Sequence, residues 1–135
     1  MKNTSTGIKK FLMAVMLIAA VCLGFFAGIS FSHYQQAENR AERVHTFLSL
    51  SVDKLKNLQQ QYDSDVMEAL ISDVYAAYQS CDDTESLAPA LHELWNALIF
   101  DGDNLTGQEE ALIQALKDAD AQAIADIAYD IRQSS

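Results

Sequence analysis

The sequence predicts an all-α protein: a single N-terminal transmembrane helix continuing into a small extracytoplasmic helical bundle, with a long first helix and three or four short ones. Three observations carry this expectation. Residues 11–31, FLMAVMLIAAVCLGFFAGISF, hold no charge and a single hydroxyl. No glycine or proline occurs between Gly28 and Pro89. Beyond the apolar run, apolar residues recur every three or four positions, and no β-branched run alternates with period two.

The expected organisation is a cytoplasmic head over residues 1–10, a signal-anchor helix over 11–31 and an acidic helical domain over 32–135. Twenty-one helical residues span about 31 Å, close to the roughly 30 Å of a bilayer's hydrocarbon core. A cleavable signal has a shorter apolar region, about 7–15 residues, followed by a small-x-small site. Gly28-Ile29-Ser30 and Ser30-Phe31-Ser32 offer small residues at that interval, but neither follows a clear polar break. A lipoprotein signal around Cys22 needs a small residue just before it and a leucine three before; Val21 and Ala19 stand there. A retained anchor is therefore expected, with a secreted protein as the alternative if the segment is cut. Lys2, Lys9 and Lys10 precede the run, whereas only Arg40 and Arg43 follow closely. That bias keeps the N-terminus in the cytoplasm and translocates the rest, giving a single-pass protein of the cell membrane. Ala20, Gly24 and Gly28 lie at four-residue spacing, a small-xxx-small face of the kind that lets two membrane helices approach. A homodimer through this helix is one expectation; chance spacing of small residues is the other.

After the anchor, Ala37, Ala41, Val44, Leu48, Leu55, Leu58 and Tyr62 step by threes and fours, with Ser51 in the one polar slot. This is an amphipathic first helix with heptad character, continuous with the anchor. Asp63-Ser64-Asp65 offers caps for a second helix with Met67, Leu70, Ile71, Val74 and Tyr78 inward. Ser80 to Ser86 reads as a loop, and Ser86 as the cap of a third helix that tolerates Pro89 in its first turn. Leu91, Leu94, Trp95 and Leu98 form its expected core side. Asp101-Gly102-Asp103-Asn104 makes a turn. Thr106 and Glu109 form a capping box for a fourth helix with Leu112, Ile113 and Leu116 inward. Around Asp118-Ala119-Asp120 the chain turns again or runs on, and Ile124, Ile127, Ala128 and Ile131 make the last stripe. The core is expected to centre on Trp95 with Leu48, Leu70, Leu94 and Ile127.

The phase of the first helix bears on assembly. From Gly28 to Val44 is 16 residues, about 1600°, so the two faces lie about 160° apart on a continuous helix. One straight parallel dimer cannot use both. Either the anchor dimerises and the stripe packs within its own chain, or the stripe is a coiled-coil seam and the glycines are incidental. The intrachain bundle is favoured, because four short helices need a long one to bury their apolar sides.

Charge and motifs mostly exclude. From Ser32 onward the chain carries 6 Lys and Arg against 19 Asp and Glu, a formal charge of −13. Such a domain repels nucleic-acid backbones and anionic lipid surfaces; it permits basic partners, but a solvated acidic surface is the favoured meaning. Two cysteines, Cys22 in the run and Cys81 beyond it, form no internal disulfide framework. Asp82 and Asp83 follow Cys81 and disfavour its thiolate, so a slow nucleophile is expected there. An EF-hand loop starting at Asp101 would place Leu105, Thr106 and Leu112 where it needs Asp or Asn, Gly and Glu. His33, His45 and His92 lack metal-binding spacing. Ser51-Val52-Asp53-Lys54 matches a Ser-x-x-Lys nucleophile pattern without its companion motifs. Asn104-Leu105-Thr106 is a glycosylation sequon, meaningful only in a eukaryotic secretory pathway.

No catalytic residue, cofactor or metal ligand is therefore expected. The plan resembles that of small single-pass bacterial envelope proteins, in division and spore-germination machinery among others, though no motif carries a family. It implies a non-catalytic interaction or regulatory partner of an envelope protein complex. A ligand-sensing bundle is the second expectation and an enzyme the third.

Overall fold

The computed structural model describes residues 2–82 and 86–134, which form five α-helices and one 3-10 turn, with no strand among them. The helices are α1 (Lys2–Gln60), α2 (Ser64–Ser80), α3 (Leu87–Asp101), α4 (Glu109–Lys117) and α5 (Ala121–Gln133), with the 3-10 turn at Gly102–Leu105 between α3 and α4. The chain divides into two compact units, residues 1–38 and 39–135.

The first unit consists of α1 residues alone. Its large apolar side chains, from Ile8 and Phe11 to Phe31, are all exposed. This helix is long and apolar enough to cross a membrane, and none of its most apolar stretch is buried in the protein. Gly24 and Gly28 lie inside it without a break.

The second unit has a single core. The α1 residues within it bury Val44, Leu48, Ser51, Val52, Leu55 and Leu58. Of the expected stripe, Ala37, Ala41 and Tyr62 are exposed, and α1 stops at Gln60, before Tyr62. The rest is spent on the chain's own core, which leaves no apolar seam for a coiled-coil partner at Leu48 and Leu55. Ser51 is wholly buried and donates its hydroxyl to the Phe47 carbonyl, 2.8 Å away, so its polar slot costs no unmet hydrogen bond. Lys54 Nζ meets Asp73 Oδ2 at 3.1 Å, linking α1 to α2, and Gln59 Nε2 donates to Glu110 Oε2 at 3.0 Å, linking α1 to α4.

Within the bundle α3 packs against α2 and α5, and α4 packs on α5. α2 starts where Asp63 accepts from the Asp65 N–H at 2.8 Å, and α5 where Asp120 accepts from the Ala123 N–H at 3.1 Å. Leu70, Val74, Ala77, Leu91, Leu94, Ala97, Leu112, Ile124 and Ile131 are fully buried. Leu48 and Ile127 are buried with them at 6% and 8% exposure.

Four sequence expectations are corrected. Trp95 is not the centre of the core; it is partly buried and packs against its edge. The α3 face that turns inward is Ala90, Leu91, Leu94, Ala97 and Leu98, and Trp95 flanks it. Small alanines on the inward side allow close helix approach, which displaces the indole to the margin. Second, Ile71 and Tyr78 are likewise only partly buried, with Ala77 taking the inward position. Third, no capping box forms at Thr106. Glu109 begins α4, and its carboxylate accepts from the Gly107 N–H at 2.7 Å. Gly107 has φ +91°, a conformation that suits glycine, and so delays the helix start. Fourth, Ser86 occupies the α3 cap position without a side-chain hydrogen bond. Asp83, Thr84 and Glu85 of the expected loop lie outside the described residues.

The turn left open at Asp118-Ala119-Asp120 is made. Ala119 takes a left-handed φ of 48°, its N–H bonds the Leu116 carbonyl at 3.2 Å, and the Asp120 N–H bonds the Ala115 carbonyl at 3.0 Å. This is a Schellman ending with alanine where glycine is usual.

Candidate functional site

The motifs that invite chemistry are absorbed by structure. In the Ser51-x-x-Lys54 pattern the hydroxyl is buried and bonded to Phe47, while Lys54 turns to Asp73. A serine hydroxyl and a lysine amine held by separate partners do not form a nucleophile–base pair. Asn104 Nδ2 of the sequon donates to the Ile131 carbonyl at 3.0 Å, clamping the 3-10 turn to α5. Cys81 caps α2, with its Sγ 3.3 Å from the Ala77 carbonyl. Among the described residues no group of three or more His, Cys, Asp and Glu side chains converges to hold a metal ion. His33 and His45 are exposed on α1. Ala20, Gly24 and Gly28 are exposed as well, and nothing stands within 4 Å of a Cβ placed on either glycine.

The structure does gather one set of side chains that the sequence leaves scattered. Tyr75 and Tyr78 sit three residues apart on α2; His92 and Trp95 sit three apart on α3. Such pairs share a helix face. The two helices run antiparallel here, because Tyr75 meets Trp95, Tyr78 meets His92, and Met67 reaches within 3.8 Å of a Cβ position on Gly102. The ring centroids are 4.9 Å apart for Tyr75 and Trp95, and 5.1 Å for Tyr78 and His92. His92 and Trp95 lie 5.8 Å apart, and Tyr75 and Tyr78 lie 6.1 Å apart. All four contacts are tilted, at interplanar angles of 39° to 51°. These distances fall in the range where aromatic pairs attract beyond simple area burial.

Hydrogen bonds steady the edges of this cluster. Gln79 Nε2 donates to Tyr75 Oη at 3.0 Å, and Asn96 Nδ2 lies 3.4 Å from His92 Nδ1. The cluster remains open to solvent: Tyr75 is 40% exposed, and Ile99, one turn beyond Trp95 on the same helix, is 43% exposed. On α2 the exposed residues Asp65, Glu68, Ser72, Tyr75 and Gln79 follow one another at three- and four-residue steps. About two and nearly three turns towards its N-terminal end from Tyr75, this stripe carries the carboxylates of Glu68 and Asp65, with Ser72 between.

The charge around it is one-sided. Between Lys56 and Lys117 there is neither Lys nor Arg, while twelve Asp and Glu fall in that stretch. Helices α2 and α3 lie wholly inside it. Lys54 reaches in to Asp73, and Arg132 reaches Glu93 at 3.0 Å. No lysine or arginine from α2 or α3 themselves can lie over the rings. The arrangement therefore offers π faces, phenol and imidazole hydrogen-bonding groups and surrounding negative charge. Among the described residues it shows no base oriented by a third group towards a nucleophile.

Periodicity puts Tyr78 and Trp95 on core-facing stripes, raises His92 only as a metal ligand and does not single out Tyr75. Two signals point to the cluster: the paired three-residue spacing of the rings, and the run from 57 to 116 free of Lys and Arg. Comparison with known proteins found no match of this chain to any family model, curated protein or solved structure.

Proposed function

We propose that this chain is a membrane-tethered, non-catalytic helical protein that holds or regulates a protein partner in an envelope complex. In this reading the apolar helix is a retained single-pass anchor, the N-terminus is cytoplasmic and the acidic bundle is extracytoplasmic. One observation carries the proposal above all. The large apolar side chains from Ile8 to Phe31 are all exposed, while the residues from 39 onward bury their own apolar stripes in a single core. Contiguous apolar surface of that extent needs lipid or protein to cover it. The bundle has a core of its own, and the large apolar side chains it leaves exposed, Tyr75, Ile99 and Phe100 among them, are open to a partner. The lysines before the span favour the stated orientation.

The test is crosslinking and affinity capture of the tagged full chain from washed membranes. The expected result is a defined envelope protein recovered in stoichiometric yield, dependent on the bundle. Recovery of the chain alone, with the bundle intact, contradicts the proposal. Orientation is read with a single cysteine in place of exposed Gln133, in a variant with Cys22 and Cys81 replaced by serine. An impermeant maleimide should label it on intact cells; labelling seen only after lysis reverses the topology.

A further inference from the structure

We propose that the open face of α2 and α3, centred on Tyr75 and Trp95, docks a Lys- and Arg-bearing segment of the protein partner. The inference rests on the interaction reading above and names the chemistry of its partner. Three features converge. The rings of Tyr75, Tyr78, His92 and Trp95 form one continuous cluster with Tyr75 and neighbouring Ile99 open to solvent. The faces of tyrosine and tryptophan attract guanidinium and ammonium groups, arginine best of all because it also stacks. No Lys or Arg occurs between residues 56 and 117, so neither helix provides a guanidinium or ammonium group of its own for those faces.

Charge complementarity decides the class of occupant. Asp65 and Glu68 extend the α2 stripe beyond Tyr75, and the domain from Ser32 onward carries a formal charge of −13. An anionic lipid surface or a nucleic acid is repelled by that field, and a neutral apolar helix gains nothing from it. A cationic segment gains on both counts: steering by the acidic surface and contact with the rings. A half-buried tryptophan beside exposed tyrosine also has the composition found at the energetic centre of interfaces.

Trp95 is the sole tryptophan, so the site carries its own reporter. The full chain is placed in discs of neutral phosphatidylcholine, which do not attract a cationic peptide. Its fluorescence is titrated with an oligoarginine peptide and, separately, with an oligoglutamate peptide. The expected result is a saturable change with oligoarginine, weakened by salt, and none with oligoglutamate. Tyr75→Ala should weaken binding about threefold or more. Glu68→Gln should weaken it less, and Tyr129→Ala, an exposed tyrosine on α5, should leave it unchanged. Circular dichroism of each variant confirms that the helices persist. Absence of a saturable change overturns the proposal. So does equal binding by wild type, Tyr75→Ala and Glu68→Gln, which would show diffuse attraction to an acidic protein. Failure of the wider reading is seen separately, by photocrosslinking in native membranes from position 75 and from position 129. A partner crosslinked from 129 and never from 75 keeps the interaction reading and removes this face. No partner from either position removes both.

Discussion

Replacing Leu55 by Ala distinguishes a stripe buried in its own chain from a seam between chains. Leu55 has no exposed surface, whereas Leu50, on the opposite side of the same helix, is 37% exposed. Truncation removes three carbons, and at about 0.8 kcal/mol per methylene the transfer loss is roughly 2.4 kcal/mol. The cavity left behind adds to this, so the total should reach about 3–5 kcal/mol. Leu50→Ala should stay within about 0.5 kcal/mol of wild type. The assay is urea unfolding of residues 32–135, followed by far-ultraviolet circular dichroism. The slope with urea should be unchanged and the midpoint lowered. Repeating it across a wide range of protein concentration adds the decisive control, because a two-chain seam makes the midpoint rise with concentration. A Leu55→Ala cost below about 1 kcal/mol, or a concentration-dependent midpoint, refutes the intrachain core.

Four further outcomes are expected. Ala119→Gly should stabilise the domain by about 0.5–1 kcal/mol, because glycine avoids the cost of a left-handed φ of 48° and gives back part of the gain as unfolded-chain freedom. Gly107→Ala should cost about 1 kcal/mol, purely from its φ of +91°, since no atom lies within 4 Å of the new Cβ; unfolding midpoints moving the opposite way would refute both turn assignments. Trp95→Ala should cost about 1–3 kcal/mol, less than a fully buried tryptophan, and a cost at or above about 4 kcal/mol would return Trp95 to the core. Replacing Gly24 and Gly28 by Ile should reduce dimer crosslinking in membranes without altering the bundle's unfolding, because nothing in the chain occupies the space beside them; unchanged crosslinking would remove them as a dimer face.

The helices were legible where a strong local signal had no competitor. Asp63 and Asp120 stand directly before apolar stripes, and both cap as their side chains suggest. The stripe of Leu48, Ser51, Leu55 and Leu58 keeps a near-heptad spacing and is buried as such. The start of α4 was misread because Thr106 and Glu109 fit a capping box by spacing alone, while Gly107 between them takes a left-handed turn that spacing does not reveal. The position of Trp95 escapes the spacing for a related reason. On α3, Leu91, Leu94 and Leu98 fix the inward direction, but Trp95 and Ala97 lie on opposite flanks of it, and only the packing of α2 and α5 decides which flank closes. The aromatic face is a tertiary feature: its rings come from two helices, and only their antiparallel pairing brings Tyr75 to Trp95.

Whether the bundle is tethered by a retained helix is read from the intact mass of the mature protein in carbonate-washed membranes. A retained anchor leaves the chain in the membrane pellet at a mass that includes residues 11–31 together with the bundle. A soluble species whose mass corresponds to a start between Ser30 and His33 would contradict it, making the apolar helix a removed signal and the bundle a secreted protein.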